Sequence, residues 1–377
     1  MMKASLHLWR QWSAQVRQLL PDVHGHRTKT LAFFVFGLVL SGKARLPLIA
    51  EELFAISAAK TPSIERRLQR FLANAQVAVV PIWASLLAHL LPCFRGKRLL
   101  FVLDTTPLDQ RACIVYLGLL VHSRLLPVGW QVMPLHESWE EGQWAIVAAL
   151  VDRVIPYLGQ AECTLIADSG LAGMPVVRLC QARHWHYLLR LCSHHTCRPA
   201  CGKRAGRWTA ISELVSSPGQ SWFGPARVWQ EHRLDAFVSV IWEPGYQDAW
   251  FLLSDQPAGR QRVREYARRM RVESSFQDFK RRGWDIEGTV IADLARLERL
   301  LLVLFLGVWW ISHLAAACMH QGQRARFDRH DRRDKGIFRL GRLWLRDLLR
   351  RELQAASLAH CLPFHRTGAA FAFSLRF

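Results

Sequence analysis

Acidic residues are what this sequence is short of: 30 Asp and Glu stand against 50 Lys and Arg, leaving a formal charge of +20 and a pI near 10.4. In a chain that also holds 16 Trp, such an excess points first to a polyanionic partner, nucleic acid above all, with a ribosomal role or an anionic membrane surface as other basic settings. A disulfide framework is lacking as well. The nine Cys are odd in number and scattered from Cys93 to Cys361, which fits reduced thiols in a cytosolic protein. The N-terminal stretch MMKASLHLWRQW has no apolar core followed by a small-residue cleavage site, so no signal peptide is expected. The composition of a disordered chain is absent too, because 51% of the residues are hydrophobic, enough for a sizeable core. At 377 residues the chain exceeds one ordinary domain, and a main domain with appendages is expected.

The stretch with the densest chemistry runs from Gln261 to Gly283, QRVREYARRMRVESSFQDFKRRG. Its periodicity predicts a single helix ending at Gly283, where a left-handed residue past the last turn would cost nothing. Tyr266, Arg269, Glu273 and Lys280 then fall within an arc of roughly 60° of that helix, at about 100° per residue. One face would carry a carboxylate between two cations and a phenol. A surface ion pair is the plain alternative for such a face.

The first 95 residues show helical spacing and no strand signal, in TLAFFVFGLVLSG and PLIAEELFAIS for example. Ser63 is a candidate cap for a helix through IERRLQRFLANA, with Arg66, Arg67 and Arg70 opposite Ile64, Leu68 and Leu72. That face suits either DNA or plain solvation. From Lys97 the texture changes. RLLFVLD reads as a buried strand ending at Asp104, and IVYLGLLVH and LLPVGWQVM read as two more, joined by a turn near Ser123. A helix from about Glu140 to Leu158, a strand CTLIAD ending at Asp168, a helix MPVVRLCQARH and a strand HYLLRL follow. Three strands, helix, strand, helix, strand is the order of a ribonuclease-H-like α/β core. The segment from about 192 to 255 breaks this order and reads as a β-rich insertion, with strand-like pieces AFVSVIW and DAWFLLS. Cys192, His194, His195, Cys197 and Cys201 lie close together there, a zinc candidate without finger spacing, free thiols being the other reading. The run from Leu297 to Cys318 is apolar enough for a membrane span, yet it carries Ser312 and His313 and stands alone, as a core helix would. The tail from Arg324 is basic, with Arg342, Arg346, Arg350 and Arg351 at helical spacing around leucines, a cationic face suited to phosphates or an acidic partner.

Asp104 and Asp168 after buried strands, with Glu273 on a later helix, supply three carboxylates that such a core brings together. Hard divalent ions take oxygen ligands. Three carboxylates can hold two of them for in-line phosphoryl transfer, one ion activating the attacking oxygen and one stabilising the leaving 3′-oxygen.

Tyr266, two residues, Arg269, three residues, Glu273, six residues, Lys280 resembles the Tyr-Arg-Glu-Lys signature of the DDE transposases of insertion-sequence family four. LDTTPL around Asp104 is similar to that family's first-Asp motif and LIADSG around Asp168 to its second, while SIERRLQRFL and IFRLGRLWLRDLL resemble segments flanking its core. The resemblance implies that Asp104, Asp168 and Glu273 bind two Mg²⁺, with Mn²⁺ as the alternative ion, and that Tyr266, Arg269 and Lys280 contact phosphates at a transposon end. It places Trp250, in WFLLSD, where relatives stack an indole on a flipped base; such stacking offsets about 1–3 kcal/mol of unstacking. Two departures stand out. Ser169 and Gly170 follow Asp168, where the family often has Arg, and the insertion is short.

The expectation is therefore a helical DNA-binding region at 1–95, a ribonuclease-H-like catalytic core at 96–318 and a basic helical region at 319–377. The function expected is cut-and-paste DNA transposition: binding double-stranded DNA at terminal inverted repeats, cutting, and joining 3′-hydroxyls to target DNA. The resemblance implies a homodimer in the synaptic complex, a bacterial cytoplasmic, nucleoid-associated location and no membrane partner. A non-catalytic DNA-binding descendant of a transposase, and a ribonuclease-H-like nuclease without strand transfer, are the alternatives.

Overall fold

The structure, a computed structural model, describes residues 2–94, 96–121, 124–135, 142–280, 283–329, 331–332 and 334–351. The expected turn at Ser123, the expected helix start at Glu140, and Cys361 lie outside the described residues. The N-terminal part is helical: α1 (Met2–Leu19), α2 (Gly25–Ser41), α3 (Leu46–Phe54), α4 (Thr61–Ala73) and α5 (Val79–Leu90). α4 is not capped by Ser63. It begins at Thr61 with Pro62 in its first turn, where a missing N–H costs nothing and φ is already helical. Ile64, Leu68, Phe71 and Leu72 turn inward. Of its three arginines, Arg66 and Arg70 are exposed, whereas Arg67 donates to the Thr30 hydroxyl at 2.8 Å and lies 4.9 Å from the Phe33 ring centre.

The described strands form one mixed sheet of ten. β1 (Arg98–Leu108), β2 (Ala112–Val121) and β3 (Arg124–Pro134) make an antiparallel meander. After α6 (Gly142–Asp152), β4 (Glu162–Ala167) runs parallel to β1, and after α7 (Met174–Ala182), β5 (His186–Arg190) runs parallel to β4. This is the ribonuclease-H-like arrangement. β1 does not stop at Asp104. It continues to Leu108, because β2 pairs with it as far as Leu108↔Ala112.

The segment read as an insertion extends the same sheet. β6 (Thr196–Pro199), β7 (Thr209–Ala210), β8 (Ser221–Val228), β9 (Leu234–Ile241) and β10 (Trp250–Ser254) complete the order β3-β2-β1-β4-β5-β10-β9-β8-β6-β7. β10 lies antiparallel on β5, with Leu252 opposite Arg190, and so closes an edge that a lone core would leave open.

The stretch read as one helix is two. α8 (Arg260–Ala267) passes through a tight 3₁₀ turn at Arg268–Met270 into α9 (Arg271–Phe279). A 3₁₀ turn advances about 120° per residue, not 100°, so three residues rotate α9 by roughly 60° relative to α8. Lys280 leaves the helix with extended backbone angles, and the chain folds back so that the Trp284 amide donates to the Asp278 carbonyl at 2.9 Å. Gly283 serves that fold-back. A Cβ there would stand 1.8 Å from the Asp278 carbonyl oxygen, so close approach, and not a left-handed cap, demands glycine.

α10 (Leu294–His320) is the apolar run, and 94% of its most apolar window is buried inside the fold. It is long and apolar enough to cross a bilayer, but it packs on β3, α2 and α4. The Trp309 indole donates to the Pro127 carbonyl at 2.7 Å, and Trp310 stacks on Trp12 with centres 4.2 Å apart. The last described helix, α11 (Ile337–Arg350), packs on α10. Its cationic face is partly spent inside. Arg342 donates to the Ser41 carbonyl at 3.0 Å and Arg346 to the Leu40 carbonyl at 3.2 Å, which caps the negative C-terminal end of α2. Gly42, left-handed at φ 67°, gives the Arg342 guanidinium the space a side chain would fill.

Candidate active site

The parallel register of β1 and β4 runs to Leu103↔Ala167. The residues that follow this pair are Asp104, still within β1, and Asp168, the first residue past β4. Neighbouring parallel strands thus deliver two carboxylates to one place, the geometry in which oxygen ligands gather at the carboxyl ends of a sheet.

A single nitrogen joins them. Arg269 Nη2 stands 2.8 Å from Asp104 Oδ2 and 3.0 Å from Asp168 Oδ2, and its side chain is only 8% exposed. Each carboxylate also accepts from the backbone N–H that follows it, Asp104 from Thr105 at 2.8 Å and Asp168 from Ser169 at 2.7 Å. The Tyr266 hydroxyl lies 3.4 Å from Asp168 Oδ1, and the Trp250 ring meets the Tyr266 ring edge-on with centres 5.2 Å apart. Burial first of all raises the Asp104 pKa, and the neighbouring charges of Asp168 and Glu273 add to it, while Arg269 and the Thr105 N–H pull the other way. Burial also raises the Tyr266 phenol well above its usual range, so it stays a protonated donor at neutral pH. Below the site, Arg262 and Arg98 both pair with Glu265, at 3.0 Å and 2.9 Å, and this cluster ties α8 to the start of β1.

The structure therefore brings Asp104, Asp168, Tyr266, Arg269 and Trp250 together. Glu273 it does not fully gather in. That residue is exposed on α9, near enough to Asp104 to act on its charge. Among the described residues no three His, Cys, Asp or Glu side chains are grouped as metal ligands. Lys280 stands off the helix, 3.9 Å from Glu287. The fold-back at Gly283 explains the displacement of Lys280, while Glu273 stands exposed in the first turn of α9. The Cys/His candidate is dispersed: Cys197 is buried in β6 and Cys201 is exposed, while His195 packs edge-on against Trp229. The eight described cysteines are all unpaired thiols.

One neighbour escaped the sequence reading. Arg190, the last residue of β5, has Nη1 4.0 Å from Asp168 Oδ1. Its signal was an arginine ending the strand after the Asp168 strand. It stands beside the carboxylate whose following residue is Ser169.

No curated protein matches the chain. Residues 142–310, from the start of α6 into α10 and so including Asp168, Trp250, Tyr266, Arg269, Glu273 and Lys280, match the family model of the transposase DDE domain.

Proposed function

We propose that this chain is a DNA transposase, which binds the terminal inverted repeats of its element, cleaves at the ends and joins the 3′-hydroxyls to target DNA. The observation that carries this reading is the convergence of Asp104 and Asp168 from adjacent parallel strands on one cationic nitrogen. The transposase DDE domain match and the charge of +20 agree with it.

The residues present fit Mg²⁺ or Mn²⁺ in donor type: two carboxylate oxygens converge within 3.0 Å of one positive group, and Glu273, one turn beyond Arg269, would be the third oxygen donor. Asp104, Asp168 and Glu273 would hold the ions. Two bound ions would supply activation of the attacking oxygen and stabilisation of the leaving 3′-oxygen. The protein's own part is positioning. Tyr266 donates toward Asp168 and orients it, Arg269 and Lys280 take phosphate oxygens beside the scissile bond, and Trp250 offers its face to an unstacked base. Arg66 and Arg70 on α4 are the phosphate contacts of the helical region at 1–95, residues 96–318 form the catalytic core, and 319–377 add a basic flank. Two ends processed in concert need two such sites, hence a homodimer on paired DNA.

The test is a labelled transposon-end duplex incubated with Mg²⁺ and target plasmid. Joined product from the wild-type chain, and none from Asp168→Asn that still binds the ends, is the expected result. End-specific binding by the wild type without any nick or joint would replace this reading with a DNA-binding regulator.

A further inference from the structure

We infer that Arg269 is a latch on the carboxylate pair: without DNA its guanidinium holds the place of a divalent cation, and a DNA phosphate must draw it away before metal can bind. This rests on the reading of Asp104 and Asp168 as metal ligands.

Three observations carry it. One nitrogen of Arg269 contacts both carboxylates, at 2.8 and 3.0 Å, so the arginine sits on the very oxygens a hard cation would use. A dication and a guanidinium cannot both occupy that point, because like charges would be forced together beside a buried carboxylate. The seat is also an incomplete one for the arginine. Its Nε is buried without a hydrogen-bond partner among the described residues, whereas a phosphate can engage a guanidinium through two parallel N–H groups. Finally, Arg269 is the middle residue of the 3₁₀ turn between α8 and α9, a kind of joint that often marks a hinge. Glu273 lies in the first turn of the helix beyond that joint and stands exposed. Withdrawal of Arg269 removes the competing cation and leaves Glu273 free to approach.

The consequence is coupling. If phosphate and metal bind the same released state, each raises the affinity of the other by one shared factor. It would also keep the DNA-free protein from holding loaded metal and cutting at random.

Mn²⁺ binding to the full chain is read by electron paramagnetic resonance, with and without a short transposon-end duplex, the Asp104→Asn chain under the same conditions serving as blank. The duplex is expected to raise Asp104-dependent Mn²⁺ affinity of the wild type about tenfold or more. Arg269→Gln is expected to bind Mn²⁺ about tenfold tighter without DNA and to lose the enhancement. Equal Mn²⁺ affinity of the wild type with and without duplex overturns the latch, and so does an enhancement fully kept in Arg269→Gln; in both cases the metal reading stands. Absence of any Asp104-dependent Mn²⁺ signal overturns the metal reading and the latch with it. The wild-type comparison needs no substitution, so it decides the matter even if Arg269→Gln folds poorly.

Discussion

Leu103 of β1 pairs with Ala167 of β4 in parallel register, and that pairing sets Asp104 beside Asp168. A one-residue slip would send one carboxylate to the other face of the sheet. Both carboxylates are therefore expected to be needed together. Asp104→Asn and Asp168→Asn should each lower end cleavage by about a thousandfold or more, and the double variant should be hardly worse. Single-turnover cleavage of a labelled end checks this; additive losses would mean that the two act separately.

The strand and helix order from Lys97 to Arg190 was legible because buried strands leave apolar runs, and because acidic residues stand out at their ends. The one-sided inner face of α4 was legible for a similar reason. What could not be read depends on tertiary contacts. Arg268, Arg269 and Met270 carry no sign of a break, yet a 3₁₀ turn there divides the expected single helix into α8 and α9. Lys280 is pulled from the helix by the fold-back around Trp284, which is fully buried. Spacing gave α11 a cationic face without saying that the end of α2 lies against it. Arg190 ends its strand, and only the order of strands in the sheet brings it to Asp168.

Gly283→Ala should be costly, because its Cβ meets the Asp278 carbonyl oxygen at 1.8 Å. Destabilisation of more than about 1 kcal/mol is expected, with a lower denaturant midpoint as the readout. An unchanged midpoint would show that the fold-back carries little weight.

On the proposed reading the arginines fall into structural and DNA-facing sets. Arg342→Gln removes a donor to the Ser41 carbonyl and should cost about 1–2 kcal/mol of stability while leaving DNA affinity intact. Arg66→Ala and Arg70→Ala, at exposed positions of α4, should barely change stability, weaken DNA binding, and each reduce the slope of log affinity against log salt by about one. Salt titrations of duplex binding, with melting curves alongside, separate the two sets; a reversed pattern would refute the division.

Glu298 is expected to make stability depend on pH. Its Oε2 accepts from the Val132 N–H at 2.9 Å, and burial pushes its pKa up from 4.5 to about 7, against the pull of that N–H and of Arg153. Because the folded value is the higher one, this group's contribution is full below the unfolded value and is lost as pH rises through the folded value. Glu298→Gln should therefore be more stable than the wild type at pH 8 by about 1–3 kcal/mol, with the gap closing toward pH 5. Denaturant midpoints at the two pH values test it, and a gap that stays constant would contradict the assignment.

Asp104, Asp168 and Glu273 are proposed to work as one phosphoryl-transfer centre, although Glu273 stands exposed at its edge. The most direct measurement is cleavage of a labelled transposon-end duplex in Mg²⁺ by the wild-type chain and by Glu273→Gln, with binding to the same duplex scored in parallel. The substitution keeps the shape and removes the charge. The wild type is expected to cut, while Glu273→Gln binds equally well without cutting. Cleavage by Glu273→Gln at the wild-type rate would contradict it, leaving the carboxylate pair to act without its third partner.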